Sequence, residues 1–291
     1  MTFAQSADAS SVTHRAMRMP LVIKLCAGFL VLMALVALLA PLLTPYTYSQ
    51  QNLLKRLSPP VFMGGDWAYP LGTDNLGRDM FTRLVYAIRT SISIALLGTF
   101  IGAAFGTMLG YLASRRRGLV DEVIMMMVDV QAALPAFFVA IACVAFVGNA
   151  LWVFILLVSL EGWERYTRLV RGLVISEHGK TYVQAMLALG ASRWRTDLMH
   201  VFPNISAALV VQATITFPWT ILLETTLSFL GLGVQPPETS LGQMLGSGRQ
   251  YLLQAAWIAV IPGMAIFLTT LSMSLFGDWL RDRLDPSMRG C

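Results

Sequence analysis

The chain has 291 residues, of which 56% are hydrophobic and only 13% charged. The charged share is about half that of an ordinary soluble domain. The apolar residues fall in long uncharged blocks, which excludes a disordered chain and argues against a soluble enzyme. The formal net charge of +5 does not gather on one polar domain. Its basic residues stand between the apolar blocks, so the excess reads as membrane topology and not as nucleic-acid binding.

A helical bilayer span needs about 20 mostly apolar residues. In chain order, six blocks are predicted to supply them. Leu25–Leu43 is the first, kept as a retained span because no small-residue cleavage site follows it. Thr90–Ser114 is the second, and Val123–Val147, interrupted by Asp129 and Pro135, the third. Ala150–Leu160 is short and becomes a fourth if it extends into Trp163 and its neighbours. Ile205–Val234 is the fifth and Ala255–Phe276 the sixth. Six spans put both termini on one side. With that side cytoplasmic, 15 of the 21 Lys and Arg residues lie inside, as the positive-inside bias requires. Most of the rest, Lys55, Arg56, Arg78, Arg83 and Arg89, occupy one long outer loop with Asp66, Asp74 and Asp79. Its Pro, Gly and Trp content predicts an ordered surface element. The expected organisation is an all-α integral membrane protein. Residues 1–24 form a cytoplasmic tail, 25–89 the first span and outer loop, 90–277 the main transmembrane domain, and 278–291 a second cytoplasmic tail. Cys26 and Cys143 lie inside apolar blocks and Cys291 ends the chain, which is no redox or metal spacing.

Four features could carry function. Gly98, Gly102, Gly106 and Gly110 recur every four residues, so they share one helix face and let another backbone approach closely. That partner is either another helix of this chain or one that slides against it. Thr216, Thr220, Glu224 and Ser228 form a polar stripe in the fifth span, which must face protein or water. Glu224 falls in the outer half of the bilayer at about 1.5 Å per residue. It reads equally as a pathway or gate residue, with Thr220 and Ser228 beside it, and as a structural hydrogen-bonding group. Pro218 should disturb the helix just before it. The stretch from His178 to Pro203 predicts two short cytoplasmic helices. Tyr182–Leu189 is the first, with Gly190 as its C-terminal cap. Ser192 caps a second, which runs to about Val201 before Pro203. Either it is a lid on the membrane face, or it docks a soluble partner. Finally, no phosphate-binding G-x-x-x-x-G-K-[ST], H-E-x-x-H or G-x-S-x-G pattern occurs, and His14, His178 and His200 form no metal-ligand spacing. No catalytic, cofactor-binding or metal residues are assigned.

The same stretch resembles the "EAA" loop of ABC importer permeases, whose pattern is E-A-A, three residues, G, nine residues, I-x-L-P. Ala185, Gly190 and Pro203 match it. Gln184 stands for Glu, Met186 for the second Ala, His200 for Ile and Phe202 for Leu. Leu71–Arg89 (LGTDNLGRDMFTRLVYAIR), Leu227–Pro237 (LSFLGLGVQPP) and Gly277–Pro286 (GDWLRDRLDP) are similar to the C-type permeases of dipeptide, oligopeptide and nickel importers. So is Trp163 followed by Arg165, Arg168 and Arg171. The resemblance implies a type I importer permease with six transmembrane helices, multi-pass in the bacterial inner membrane and not itself an enzyme. It implies a second homologous permease, two cytoplasmic ATPases that hold the ATP and Mg, and an external substrate-binding protein. The chain itself would bind no cofactor and no nucleic acid and would contact membrane lipid. Residues 178–203 would be the ATPase-coupling loop, with Gln184, Ala185, Met186, Gly190, Ala191 and Pro203 as its matching positions. The resemblance does not name the cargo. The competing reading is an ion-coupled secondary transporter using Glu224 and Asp129, a class in which internal repeats are common. None is visible here.

Overall fold

A computed structural model describes residues 19–284 apart from Pro45 and Asn149. The expected N-terminal tail up to residue 18, the end of the C-terminal tail and Cys291 lie outside the described residues. The described chain is helical, with a single isolated bridge between Thr73 and Asp79. Its α-helices are α1 (Leu21–Leu43), α2 (Met80–Arg115), α3 (Leu119–Ala133), α4 (Ala136–Val147), α5 (Leu151–Ser159), α6 (Trp163–His178), α7 (Thr181–Ala188), α8 (Arg193–Thr196), α9 (Phe202–Phe229), α10 (Leu241–Gly248) and α11 (Trp257–Leu284). Four continuous helical runs are long and apolar enough to cross a membrane: Leu21–Leu43, Met80–Arg115, Arg193–Phe229 and Trp257–Leu284. The broken pair α3 and α4, bent by 94°, adds a fifth if taken as one span.

Several boundaries differ from the sequence reading, each for a local reason. α2 starts at Met80 and not at Thr90, because the Asp79 carboxylate caps it. That carboxylate accepts from the Thr82 amide at 2.8 Å and from the Thr82 hydroxyl at 2.6 Å. A capping acid satisfies orphan amides and suits the positive helix end. The third block is two helices, because Pro135 follows an extended Leu134 and stands as the N-cap of α4. Pro218 does not interrupt α9, which runs unbroken through it to Phe229 and so ends before Val234. Pro203 does not end a helix either. Asp197–Val201 forms a π-helical turn, and the chain continues directly into α9 with Pro203 in its first turn. A proline is tolerated there because that amide position lacks a regular partner.

The glycine face of α2 meets α5 and α6. A Cβ placed on Gly102 would lie 2.9 Å from the Ser159 carbonyl oxygen, one on Gly106 2.3 Å from that of Trp163, and one on Gly110 2.6 Å from that of Thr167. Only glycine permits this approach, and the Thr167 hydroxyl uses it to donate to the Gly106 carbonyl at 3.1 Å. Gly98 meets Val158 and Thr220 side chains instead. The four glycines therefore zip α2 to the α5–α6 pair and to α9 within this chain. Around them, one apolar core joins α1, α2, α9, α10 and α11, and a second joins α2, α4, α5 and α9.

Candidate functional site

Two polar centres sit at opposite ends of α2, on elements that the apolar packing holds in place. At the C-terminal end lies the predicted two-helix segment. α7 closes with a Schellman arrangement: the Ala191 amide donates to Met186 O at 3.1 Å and the Gly190 amide to Leu187 O at 3.1 Å. This closure needs the left-handed backbone of Gly190, at φ +87°. Ser192 then caps α8, its hydroxyl accepting from the Arg195 amide at 3.3 Å. Of the apolar side chains in this segment, Val183 is buried, while Leu189 is 88% exposed, with Trp194, Leu198 and Met199 also exposed. Gln184 and Ala185 are exposed, and Met186 and Ala191 half-buried. A cleft of about 410 Å³ opens between Met186, Gly190, Arg195, Met199 and His200.

This segment is anchored by two carboxylates. Glu177, at the end of α6, accepts from Lys180 and, at 2.8 Å, from the Tyr182 hydroxyl. Tyr182 in turn accepts from Asn204 at 2.8 Å. Burial pushes the Glu177 carboxyl up, but the Lys180 and Tyr182 hydrogen bonds outweigh it and hold the group below its ordinary value. Asp197, in the π turn, is wholly buried. It accepts from the Tyr111 hydroxyl and lies 3.1 Å from the Arg115 guanidinium, both on α2, and 2.9 Å from His178 on α6. Trp194 stacks on the Tyr111 ring. The sequence reading missed Asp197. Its signal was a lone acid among Arg193, Arg195 and His200, just before a proline.

The predicted stripe on α9 is placed together and is enclosed by protein. Thr216, Thr220, Glu224 and Ser228 are all buried, Glu224 completely. The Glu224 carboxylate accepts from Ser91 on α2 at 3.0 Å and from Ser228 at 2.8 Å. Ser91 itself accepts from the Leu241 amide, and Ser228 from the Val234 amide. Thr220 donates to the Thr216 carbonyl of its own helix. The chain of bonds joins α2, α9 and the first turn of α10. Asp129 is elsewhere: it is exposed and paired with Arg168 at 2.8 Å. The same basic run continues with Arg171, which donates from Nε and Nη2 to the two Asp121 oxygens at 2.6 and 2.7 Å and thereby pins α3 to α6.

The loop between α1 and α2 is ordered, as its composition predicts. Asp74 is buried and collects Arg78 at 2.7 Å and Arg83 at 2.6 Å. Arg83 reaches on to Gln243 of α10 at 3.1 Å, and Trp257 donates to the Thr73 carbonyl. Arg83 reads from the sequence as a loop charge. It is in fact buried, with Nη1 donating to Asp74 and Nη2 to Gln243.

Among the described residues, helices long and apolar enough to cross a membrane carry an anchored two-helix segment towards one end of α2 and a closed polar latch towards the other, and comparison with known proteins places this arrangement in the class of transporter permeases. Residues 102–290 match the family of binding-protein-dependent transport system inner membrane components, and residues 24–60 match the N-terminal transmembrane domain of oligopeptide transport permease C. The chain is 39% identical to the di/tripeptide transport system permease protein DppC of Pseudomonas aeruginosa, over 90% of this chain and 86% of that one. It is 37% identical to the dipeptide transport system permease protein DppC of Escherichia coli K12, over 90% and 87%. It is 35% identical to the glutathione transport system permease protein GsiD of Pectobacterium atrosepticum, over 90% and 85%. Among solved structures, an inward-facing MetNI methionine ABC transporter chain superposes with a TM-score of 0.58 at 18% identity, covering 71% of this chain and 98% of that one, a likeness of fold. The chain belongs to the binding-protein-dependent ABC transport permease family. It is a multi-pass inner-membrane permease subunit, non-catalytic, of a kind that works with ATPases and a binding protein.

Proposed function

We propose that this chain is one of two related permeases that together form the pathway of an ATP-driven importer of short peptides. The peptide cargo is supported by the relatives, two of which carry dipeptide or di/tripeptide in their names. Six spans fit this role, with α5 extended into Trp163 and its neighbours as the fourth, since that segment packs along the glycine face of α2. Both termini then lie in the cytoplasm, and α7 and α8 form a cytoplasmic handle for two ATPases, which hold the ATP and Mg. The chain itself needs no cofactor. The docking residues are Gln184, Ala185, Met186, Gly190 and Ala191 on that handle, with Pro203 following in the first turn of α9.

The observation that carries the reading is the exposed apolar handle anchored through Asp197 to both α2 and α6. A push on the handle reaches α2 without crossing a flexible link, and alternating access needs such a rigid connection. Purification through a tag on this chain should bring down a second permease and two ATPases. In the reconstituted complex Gly190→Arg should abolish ATP-dependent uptake. A Cβ at Gly190 meets nothing within 4 Å, so the defect would arise from backbone strain and a blocked docking surface, not from a clash within the chain. Full uptake by Gly190→Arg would refute the handle.

A further inference from the structure

A cleft of about 420 Å³ opens where the outer loop, α2, α5 and the segment before α10 meet. This is within the usual range for small-molecule sites, about 300–1,000 Å³. Arg89 stands on its lining from α2 and Glu238 from the segment before α10. The Tyr48 and Tyr86 rings, 5.0 Å apart between centroids, form one side. Leu97 and Ile155 line its apolar part.

The charges at this end of the molecule are otherwise matched. Lys55 pairs with Asp66, Arg56 donates to the Asn75 carbonyl, Arg78 and Arg83 share Asp74, Asp79 caps α2, and Arg249 lies over the Phe229 ring. Among the described residues, Arg89 and Glu238 have no hydrogen-bond or ion-pair partner. Both side chains are exposed at the cleft, so a ligand that enters it meets two charges that no described residue already satisfies. Their opposite signs across one cleft complement a ligand with a cationic and an anionic end.

We propose that this cleft is a peptide subsite at the outer mouth of the pathway, in which Arg89 takes the α-carboxylate and Glu238 the α-ammonium of a short peptide. The inference rests on the peptide-importer reading and extends it to particular residues. Arg suits a carboxylate because its planar fork presents two donors at once. The apolar part, with Leu97 and Ile155, accepts side chains of varied size, and the termini are the groups that all short peptides share. Ser91, two residues from Arg89, accepts from the Leu241 amide, three residues from Glu238, so this bond between α2 and α10 holds the two charges at a fixed spacing.

The test uses the complete importer in proteoliposomes with radiolabelled Ala-Phe and its binding protein. Arg89→Gln and Glu238→Gln should each lower the uptake rate severalfold, and more at low salt, since exposed charges at the rim of a site act mainly on capture. Arg89→Lys and Glu238→Asp should restore a large part of the rate, which a merely structural role would not require. In a background with Cys26, Cys143 and Cys291 replaced by Ser, Ser93→Cys should react with an impermeant thiol reagent. Peptide-loaded binding protein should slow that reaction, and empty binding protein should not. Equal slowing by empty binding protein would make the cleft a docking surface and overturn the proposal. So would slowing that depends on phosphatidylethanolamine in the vesicles and not on peptide, since that zwitterionic headgroup carries the same charges. Wild-type uptake with unchanged rates in both Gln variants would overturn the subsite alone. No Ala-Phe uptake by any form, with another cargo transported, would instead overturn the peptide-importer reading beneath it.

Discussion

Asp197 is the residue on which three elements converge. It is a buried carboxylate facing Tyr111, Arg115 and His178, on a π turn, and such turns recur at functional positions. Asp197→Asn keeps the volume and removes the charge that Arg115 and His178 face. The local cost should be about 1–3 kcal/mol, since Arg115 remains partly solvated. The account predicts a complex that assembles and hydrolyses ATP but imports less peptide per ATP; an unchanged ratio would contradict it. Glu224 calls for the opposite pattern. Its carboxylate closes a ring of bonds among α2, α9 and α10 with no exposed surface. Glu224→Gln should lower complex yield and uptake together, by weakening that latch by about 1–3 kcal/mol. Loss of uptake at full yield would place Glu224 on the pathway instead. Glu224 was legible as an unusual acid in an apolar block, and its stripe on α9 was legible from its spacing, whereas Asp197 was not picked out among its basic neighbours. Which acid faces which partner was not legible, because the partners lie far off in sequence: Ser91 for Glu224, Tyr111 and Arg115 for Asp197.

At the scale of elements, α7 is held by Glu177 through Lys180 and Tyr182, and Tyr182 bridges to Asn204 of α9. The Glu177 carboxyl is held below its ordinary value of 4.5. A carboxylate depressed in the native state stabilises it fully above the ordinary value and loses that contribution as pH falls through the lower native one. Hydrogen exchange over residues 179–190 should therefore speed up, relative to the rest of the chain, as pH drops below 4.5. In Glu177→Gln it should be fast already at neutral pH and show no added step. An identical pH profile in both proteins would contradict the anchoring role. The two helices of this segment were readable from Gly190 and Ser192, because caps are local chemistry. The continuation through Pro203 was not, because a proline signals a break or a helix start equally well. Only the π turn before it decides. The length of α2 was hidden in the same way: Asp79 and Arg83 look like loop charges until Asp74 and Gln243 are seen to fold the loop back onto the helix.

For the whole molecule, the apolar blocks and the distribution of Lys and Arg gave the membrane class and most of the helical runs. The short fourth block did not resolve by length, since its partner α6 is rich in charge. Packing makes the pair, through backbone contacts that only Gly102, Gly106 and Gly110 allow. The result is a rod, α2, whose C-terminal end is fixed to the α7–α8 segment and whose N-terminal half carries the latch and the mixed-charge cleft. The central claim is that this rod is moved by ATPases and not by an ion gradient. It is tested most directly by peptide uptake into proteoliposomes holding the complete complex, with ATP supplied to the ATPases and the proton gradient collapsed by an uncoupler. The account predicts undiminished uptake that stops when ATP or the binding protein is withheld. Uptake that persists without the ATPases and is driven by a proton gradient would contradict it, and would restore Glu224 and Asp129 as carriers of a coupling ion.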